Sequence, residues 1–574
     1  NILKITTQMP EEGSGGEGFN LDGILSELGS FGKYQLLLLL LLAFRDSFLS
    51  MCNFNYVFTA AETPFRCKVP ECEPLDSRYN ASWVNFALDS QTEMCYRLAP
   101  YTTGSNDVSV RRRQWNATSQ LTEVCTPESF VRDEVVPCEG VVYEDYNSIT
   151  AEFNLGCEPW KRTLIGTVHN LGLVFSFILS GIISDRYGRK VVIVVTPLVV
   201  GAAGLLKSFA MDYWTLLVLE FLETALGYGN ASMVLSLEAV SQSSRVVYSC
   251  MSDILSTLGG ACFGLVAWRV PYWRDMMRAI YAPLLVVVFY IFLVDEGVRW
   301  LLAHNRRHEA VRVLNKVAKV NNITLSHKAK AMLQTITAER SKSGEAAQPI
   351  TQETPKIFSV LRSKKILLRL ALISACCFCC MFVYSGAIIN SASISGNKYL
   401  NYSAMMLVAV PTRVITAYTL TRFGRRAPIC VAYCLCALFF IASAFVPKSI
   451  GWASMLFYLA GMMSSSYGIF SIQLVAMEVF PTTSRNSLTN IANTVGRLGS
   501  ALAPQAPLLE KFMPSLPCLV FGVVALGPAV LAFLLPDTSR SNLPEQLADA
   551  ERLDDDAGEN HTECQLSISR SLIM

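Results

Sequence analysis

The strongest candidates for chemistry in this 574-residue sequence are four of the charged side chains that lie inside its long apolar stretches. Arg497 and Arg413 are in the second half, whereas Glu220 and Glu223 are close together in the first. Placing a charge at the centre of a hydrocarbon layer costs roughly 2.5–3.5 kcal/mol or more, so such residues mark functional sites by default. A guanidinium group binds a carboxylate through two parallel hydrogen bonds, and the two arginines therefore favour a carboxylate-bearing ligand. Glu223, if it faces the same cavity, would receive an amine. The alternative is that the arginines form salt bridges to another helix, with Glu223 as the obvious partner.

Aromatic and amide side chains in other apolar stretches complete a candidate binding cavity. Aromatic rings can hold an ammonium group by cation–π contact, and a buried amide or hydroxyl needs a partner. The residues concerned are Asn53, Tyr228, Asn230, Tyr384, Tyr467, Phe470 and Gln473. Singly, each is as typical of helix packing as of a cavity wall.

Catalytic motifs are missing from the sequence. It contains no Gly-x-Ser-x-Gly elbow, phosphate-binding loop, dinucleotide fingerprint or His/Cys metal spacing. Of the five histidines only His169 lies in an apolar stretch, where a hydrogen-bonded packing role is the ordinary expectation. The sequence therefore predicts no enzyme, no cofactor and no metal site.

Composition and the length of the apolar blocks predict the helices that hold these residues. The chain is 52% hydrophobic and only 16% charged, against about 25% charged residues in soluble domains. Its apolar blocks have the length of membrane-spanning helices, which need about 20 residues. The predicted spans are 34–57, 160–182, 192–210, 213–236, 246–268, 275–294, 366–389, 402–420, 428–446, 452–476, 486–506 and 517–536. We expect an all-α membrane protein, in contact with the bilayer and, at a net charge of +2, not with nucleic acid.

Six cysteines fall in one polar segment between the first two spans. They are Cys67, Cys72, Cys95, Cys125, Cys138 and Cys157. An even set in such a loop predicts three disulfide bridges in an oxidising compartment, with the pairing left open among fifteen connectivities. The same segment carries glycosylation triplets at Asn80 and Asn116.

Charge asymmetry predicts the orientation of the chain. The stretch from Arg299 to Arg369 is rich in lysine and arginine, which favours the cytoplasm, whereas the cysteine segment is acidic. We therefore expect both termini in the cytoplasm. The predicted regions are a tail 1–33, a six-helix bundle 34–294 with an extracellular loop 62–158, a central loop 295–365, a second bundle 366–536 and a tail 537–574.

A basic turn motif occurs once in each predicted bundle. The first copy runs from Gly181 to Lys190 between spans two and three, and the second runs from Ala417 to Arg426 between spans eight and nine. Two copies at equivalent places indicate an internal repeat, which is typical of transporters. The glycines allow a tight turn, and the arginines can pair with acids or phosphate headgroups.

Longer motifs carry a resemblance to a known family. They are Thr150-Ala-Glu-Phe-Asn-Leu-Gly-Cys157, Asp295-Glu-Gly-Val-Arg-Trp300, Glu478-Val-Phe-Pro-Thr-Thr-Ser-Arg485 and Leu535-Pro-Asp-Thr538, together with the first turn motif. In these the chain resembles the major facilitator superfamily and, more narrowly, its organic cation, organic anion and carnitine transporters. The resemblance covers almost the whole chain, large extracellular loop included.

The resemblance implies twelve helices in two pseudo-symmetric six-helix bundles, a plasma-membrane location and a site for a small organic ion between the bundles. In that family span eleven carries an acid in cation transporters and an arginine in anion and carnitine transporters, and span eight carries a lysine at the Arg413 position in anion transporters. Organic anions or carboxylate-bearing zwitterions are therefore the expected substrates. Organic cation transport is the alternative, and a non-transporting receptor that uses the extracellular loop is the alternative of another class. The solute, the coupling ion and the oligomeric state stay open.

The resemblance also implies a set of conformational gating residues at the cytoplasmic ends of the spans, whose ion pairs would stabilise the outward-open state. They are Gly181, Asp185, Arg186, Gly188, Arg189, Glu238, Arg245, Glu296, Arg299, Arg422, Arg425, Glu478 and Arg485.

Overall fold

The structure is a computed structural model, and most of the chain is described in it. The described residues are 21–29, 31–70, 72–73, 77–81, 83–88, 95–100, 125, 130–229, 231–241, 244–327, 329–331, 333, 362–391, 394, 396–447, 450–481 and 485–535. Within them, ten helical stretches are long and apolar enough to cross a membrane. The predicted all-α membrane fold is confirmed.

Fourteen helices of the first half have bounds within the described residues, and several of them are short. Pro159 opens the second long helix, where its missing N–H costs nothing, and Gly188 ends that helix with a φ of +106°. The helices are α1 (Leu21–Glu27), α2 (Lys33–Asn53), α3 (Tyr56–Thr59), α4 (Val84–Ala87), α5 (Ile149–Glu152), α6 (Pro159–Tyr187), α7 (Arg189–Lys207), α8 (Tyr213–Gly227), α9 (Ala231–Glu238), α10 (Arg245–Arg269), α11 (Trp273–Tyr281), α12 (Tyr290–Leu293), α13 (Val298–Ala303) and α14 (Arg307–Asn321). A 3-10 segment, Ala282–Phe289, joins α11 to α12.

The second half repeats this pattern of long helices. Gly424, with a φ of +83°, ends its third helix as Gly188 ends α6 in the first half. The helices are α15 (Lys364–Asn390), α16 (Lys398–Leu407), α17 (Ala409–Phe423), α18 (Arg426–Phe445), α19 (Gly451–Val479), α20 (Arg485–Leu502) and α21 (Leu516–Phe533). A 3-10 segment, Ala503–Lys511, follows α20.

Two of the twelve predicted spans, 213–236 and 486–506, are not among the ten described stretches that are long and apolar enough to cross a membrane. The span 213–236 consists of α8 and α9, which are separated near Tyr228 and Gly229. The span 486–506 consists of α20 and part of the 3-10 segment after it, and α20 is polar because it contains Arg497 and several serine, threonine and asparagine residues. Broken or polar helices at membrane depth are tolerated where they line a cavity.

The two halves touch each other on the side that carries the cysteine segment, here called the disulfide side. Gln505 accepts a hydrogen bond from Thr163 at 3.0 Å and donates one to Thr167 at 2.7 Å. Ser403 of the second half donates to the carbonyl of Ala261 in the first at 2.8 Å. The halves are therefore closed against each other on the disulfide side.

The cysteine segment is a small bridged unit with two antiparallel strand pairs. The strands are β1 (Phe65–Cys67), β2 (Tyr96–Pro100), β3 (Phe130–Pro137) and β4 (Val141–Tyr143), with β1 beside β4 and β2 beside β3. Its bridges are Cys67–Cys138, Cys72–Cys125 and Cys95–Cys157, with Cα separations of 5.4, 5.0 and 5.7 Å. The predicted three bridges are confirmed, and the pairing is now assigned.

The opposite side carries part of the central segment, and it is here called the central side. Helices α13 and α14 pack against α1 through a small apolar cluster that includes Leu28, Trp300 and Leu314. Asn321 ties this cluster to the start of α2, because it donates to the carbonyl of Leu28 at 2.8 Å and accepts from the backbone N–H of Tyr34 at 2.9 Å. Residues 298–321 therefore form a folded element. Residues 1–20, 334–361 and 536–574 lie outside the described residues.

Candidate functional site

A cavity of about 280 Å³ lies between the halves, on the central side of their contacts. Its wall comes from α2, α6, α9, α10 and α20, and it includes the break between α8 and α9. Serines and four charged residues make the wall polar. The charged residues are Arg45, Asp46, Asp253 and Arg497.

Arg45 and Asp46 form an ion pair on α2. Arg45 is 1% exposed and donates to Thr196 Oγ1 at 2.8 Å, to Ser232 Oγ at 3.2 Å and to the carbonyl of Ile193 at 3.2 Å. These bonds satisfy the guanidinium and fix it in the first half. The carboxylate of Asp46 keeps 22% exposure at the cavity.

Asp253 on α10 pairs with Arg413 on α17 at 3.2 Å. This ion pair joins the first half to the second, and it leaves 41% of the Asp253 side chain exposed. The Arg413 guanidinium also lies over the ring of Phe470. Arg413 is not among the residues that line the cavity, so its role in substrate binding stays a prediction, and its charge is balanced by an acid that sequence reasoning passed over.

Arg497 lines the cavity from the second half. Its guanidinium lies 4.5 Å from the centre of the Phe177 ring on α6. Among the described residues, no carboxylate oxygen lies within 4 Å of it. A buried guanidinium with a ring below it and no acid beside it is suited to bind a carboxylate from solution.

The other predicted cavity residues fall into three groups. Asn53 and Tyr228 line the cavity. In the second half, Phe470 supports Arg413, and the Tyr467 hydroxyl lies 2.7 Å from the hydroxyl of Thr419. Tyr384 packs against two apolar clusters, one shared by both halves and one within the second half, and Gln473 is half-buried on α19. Asn230 lies outside the described residues.

Glu223 requires a correction, because the structure places it inside the first bundle and away from the cavity wall. Lys207 of α7 bonds to Glu220 at 2.6 Å and pairs with Glu223. His169 Nδ1 lies 2.6 Å from Glu220, and the Tyr281 hydroxyl donates to Glu223 at 2.9 Å. All five side chains are fully buried. We call these five residues the Lys207 cluster, and its ion pairs explain how two acids are held in an apolar bundle.

The first turn motif is organised by Glu296, at the central side. Its carboxylate accepts the backbone N–H groups of Arg189 at 2.8 Å, Lys190 at 3.2 Å and Gly297 at 3.0 Å. An acid at the first N–H groups of α7 complements the helix dipole. The close approach needs a glycine at 188, since a Cβ there would meet Glu296 Oε2.

Each half contains an arginine–glutamate pair of its own. Arg189 lies 3.5 Å from Glu238 and 3.0 Å from Asp185, while Arg425 bonds to Glu478 at 2.9 Å. Each pair joins helices of one half, so none of these contacts links the two bundles in this structure.

The remaining predicted gating residues lie around these pairs. Gly181, Arg186 and Arg422 are exposed, Arg245 and Arg299 are half-buried, and the side chain of Arg485 lies outside the described residues.

A protein-family model of the Major Facilitator Superfamily matches residues 148–504, more than half of the chain. The chain belongs to this superfamily. Solute carrier family 22 member 1 of Oryctolagus cuniculus is 26% identical, with 96% of this chain and 99% of that protein covered. The organic cation transporter protein of Drosophila melanogaster is also 26% identical, over 92% of this chain and 94% of that protein.

Solved structures support the same fold. The xylose transporter XylE of E. coli, in a partially occluded inward open conformation, matches with a TM-score of 0.54 at 13% identity, covering 87% of this chain and 98% of that one. The protein is therefore a membrane transporter with the major facilitator fold, similar to solute carrier family 22, and not an enzyme. Within the described residues, no group of His, Cys, Asp and Glu could hold a metal ion.

Proposed function

We propose that the protein transports small organic ions bearing an ammonium group, by alternating access of the cavity between its halves. The observation that carries this proposal is the Asp253 side chain, which is 41% exposed on the cavity wall and is accompanied there by Asp46. Two carboxylates at a cavity attract a cation. The name of one relative, the organic cation transporter protein of Drosophila melanogaster, supports the same class.

Arg497 favours a second candidate, a zwitterion that bears a carboxylate besides its ammonium group. Its guanidinium has no acid within 4 Å among the described residues and faces the cavity that contains the two aspartates. In a solute with both groups, the ammonium group would face the aspartates and the carboxylate would face Arg497. The simple organic anion expected from sequence has less support, because Arg45 and Arg413 are both paired with aspartates.

Uptake of three labelled probes tests the proposed function. Tetraethylammonium, L-carnitine and benzoate represent a cation, a zwitterion and a carboxylate, and water-injected oocytes supply the background. We expect saturable accumulation of tetraethylammonium or L-carnitine, and little of benzoate. Accumulation of benzoate alone would contradict the proposal, whereas surface binding without accumulation would favour the receptor alternative.

We infer that the protein lies in the plasma membrane with the disulfide side outside and both termini in the cytoplasm. The bridged segment and the exposed Asn80 support this orientation; Asn116 lies outside the described residues. In mammalian cells, glycosidase digestion should increase electrophoretic mobility, and Asn80→Gln with Asn116→Gln should remove most of that shift. A wild-type protein without glycans at the cell surface would contradict the orientation.

We propose that Glu296 is the main electrostatic contact of the first turn motif during transport, ahead of Asp185. Glu296 accepts several backbone N–H groups, and charge-assisted bonds contribute roughly 1.5–3 kcal/mol. The Asp185 side chain is 79% exposed, so its pair with Arg189 is worth at most about 1 kcal/mol. We expect Glu296→Gln to lower turnover per surface transporter several-fold more than Asp185→Asn. Equal turnover of the two variants would contradict this order.

A further inference from the structure

The ion pair between Asp253 and Arg413 lies where a transported ammonium group would bind. Asp253 has a more exposed side chain than Asp46, the other acid of the cavity wall, at 41% against 22%. Its partner Arg413 comes from the opposite half of the protein. The pair therefore places one carboxylate on the cavity wall and joins the halves through an arginine that does not itself line the cavity.

The attachment of Arg413 is weaker than that of Arg45, the paired arginine of the cavity wall. Arg45 is 1% exposed and donates to three protein oxygens besides Asp46. Arg413 is 20% exposed, contacts one oxygen of Asp253 and the Phe470 ring, and its buried Nε has no hydrogen-bond partner in the described part of the chain. Displacing Arg413 breaks one partly exposed ion pair, whereas displacing Arg45 would break a full set of bonds.

We propose that Arg413 is an internal counter-cation, which neutralises Asp253 in the empty cavity and is displaced when a substrate ammonium group binds. This inference rests on the proposed function. A guanidinium and an ammonium group repel each other, so they do not share one half-exposed carboxylate at low cost. Once Arg413 leaves, Asp253 and Asp46 both face the substrate cation.

Displacement has a second consequence, because the Asp253–Arg413 pair joins α10 of the first half to α17 of the second. An ammonium group on Asp253 breaks this link while it binds. Substrate binding and release of one inter-half contact are then a single event. The Asp253–Arg413 contact is present only while the cavity is empty. The balance between the two access states therefore differs between the empty and the loaded protein.

The test compares two variants that break the same ion pair. Arg413→Gln removes the competitor, and we expect the KM for tetraethylammonium to fall about twofold to fivefold, in keeping with a partly exposed pair. Asp253→Asn removes the binding carboxylate, and we expect its KM to rise about tenfold or more. If the pair were only a link between the halves, both variants would change the KM in the same direction, and that result would overturn the inference.

Two further variants serve as controls. Arg413→Lys retains a cation beside Asp253 and is expected to keep the KM closer to the wild-type value than Arg413→Gln does. Arg278 resembles Arg413, because it pairs with Asp275 at 2.8 Å and lies over the Phe209 ring, but its partner Asp275 does not line the cavity, whereas Asp253 does. Arg278→Gln is expected to leave the KM unchanged. Uptake is normalised to surface protein, so a folding loss does not imitate a KM change.

The outcomes separate this inference from the proposed function. Opposite KM changes in Arg413→Gln and Asp253→Asn support both. Changes of the same sign, with tetraethylammonium still transported by the wild type, overturn the counter-cation role alone. A wild-type protein that transports benzoate and neither tetraethylammonium nor L-carnitine overturns both.

Discussion

Lys207→Met is expected to remove nearly all folded protein from the cell surface. Lys207 is fully buried between Glu220 and Glu223, and its loss leaves two acids in the bundle without their cation. Removing one partner of a buried ion pair typically costs about 3–5 kcal/mol, a large part of the roughly 5–15 kcal/mol that stabilises a folded protein. Surface biotinylation, and thermal unfolding of protein purified in detergent, measure this loss.

A compensated variant keeps this prediction falsifiable. In Lys207→Met with Glu220→Gln and Glu223→Gln, the buried charges are gone, and we expect a substantial part of the surface protein to return. Lys161 is a matched control, since it pairs with Glu158 while 22% exposed, and Lys161→Met should change little. Normal thermal stability of the single Lys207 variant would show that the Lys207 cluster is not the stabilising element described here.

Arg497→Asp is expected to change the preferred substrate charge. The substitution places a third carboxylate beside Asp46 and Asp253 in the same cavity, and it removes the only cavity guanidinium that has no acid within 4 Å in the described structure. We expect L-carnitine uptake to fall about tenfold to a hundredfold, in line with the loss of charge-assisted bonds, while tetraethylammonium uptake is kept or increased. The ratio of the two uptake rates is the measurement.

Arg497→Lys separates charge from geometry at this position. A lysine keeps the positive charge but lacks the planar pair of donors, so the affinity for L-carnitine should weaken without a change in the preferred class. An unchanged uptake ratio in Arg497→Asp would contradict a role for Arg497 in selecting substrates.

Part of this site could be predicted from sequence, because single charges in apolar stretches stand out. Arg497 and Arg413 were singled out in this way, and Asp46 and Asp253 carry the same signal inside the predicted spans 34–57 and 246–268. Sequence reasoning passed over the two aspartates because Glu223 was the acid it weighed as a salt-bridge partner for the arginines.

The Lys207 cluster was harder to predict. Lys207 lies near the end of a predicted span, where a lysine ordinarily extends its amine towards the polar interface. The structure folds it inward onto Glu220 and Glu223 of the neighbouring helix, so Glu223 is occupied and cannot receive a substrate amine. Sequence spacing within α7 and α8 gives no distance between side chains on two helices.

The fold was more predictable than the site, because its signals are local. Apolar length marked the spans, the turn glycines marked the two repeats, and the cysteine count marked three bridges. The pairing of the cysteines and the break between α8 and α9 depend on contacts between distant residues, which periodicity does not report.

Transport by the purified protein tests the central claim most directly. Wild-type protein and Asp253→Asn are reconstituted separately into liposomes, and labelled tetraethylammonium is followed into the vesicle interior, with protein-free liposomes as background. We expect saturable accumulation of tetraethylammonium by the wild type, inhibition of this uptake by unlabelled L-carnitine, and strongly reduced uptake by Asp253→Asn. Wild-type vesicles that accumulate benzoate but take up neither tetraethylammonium nor L-carnitine above the protein-free background would contradict it.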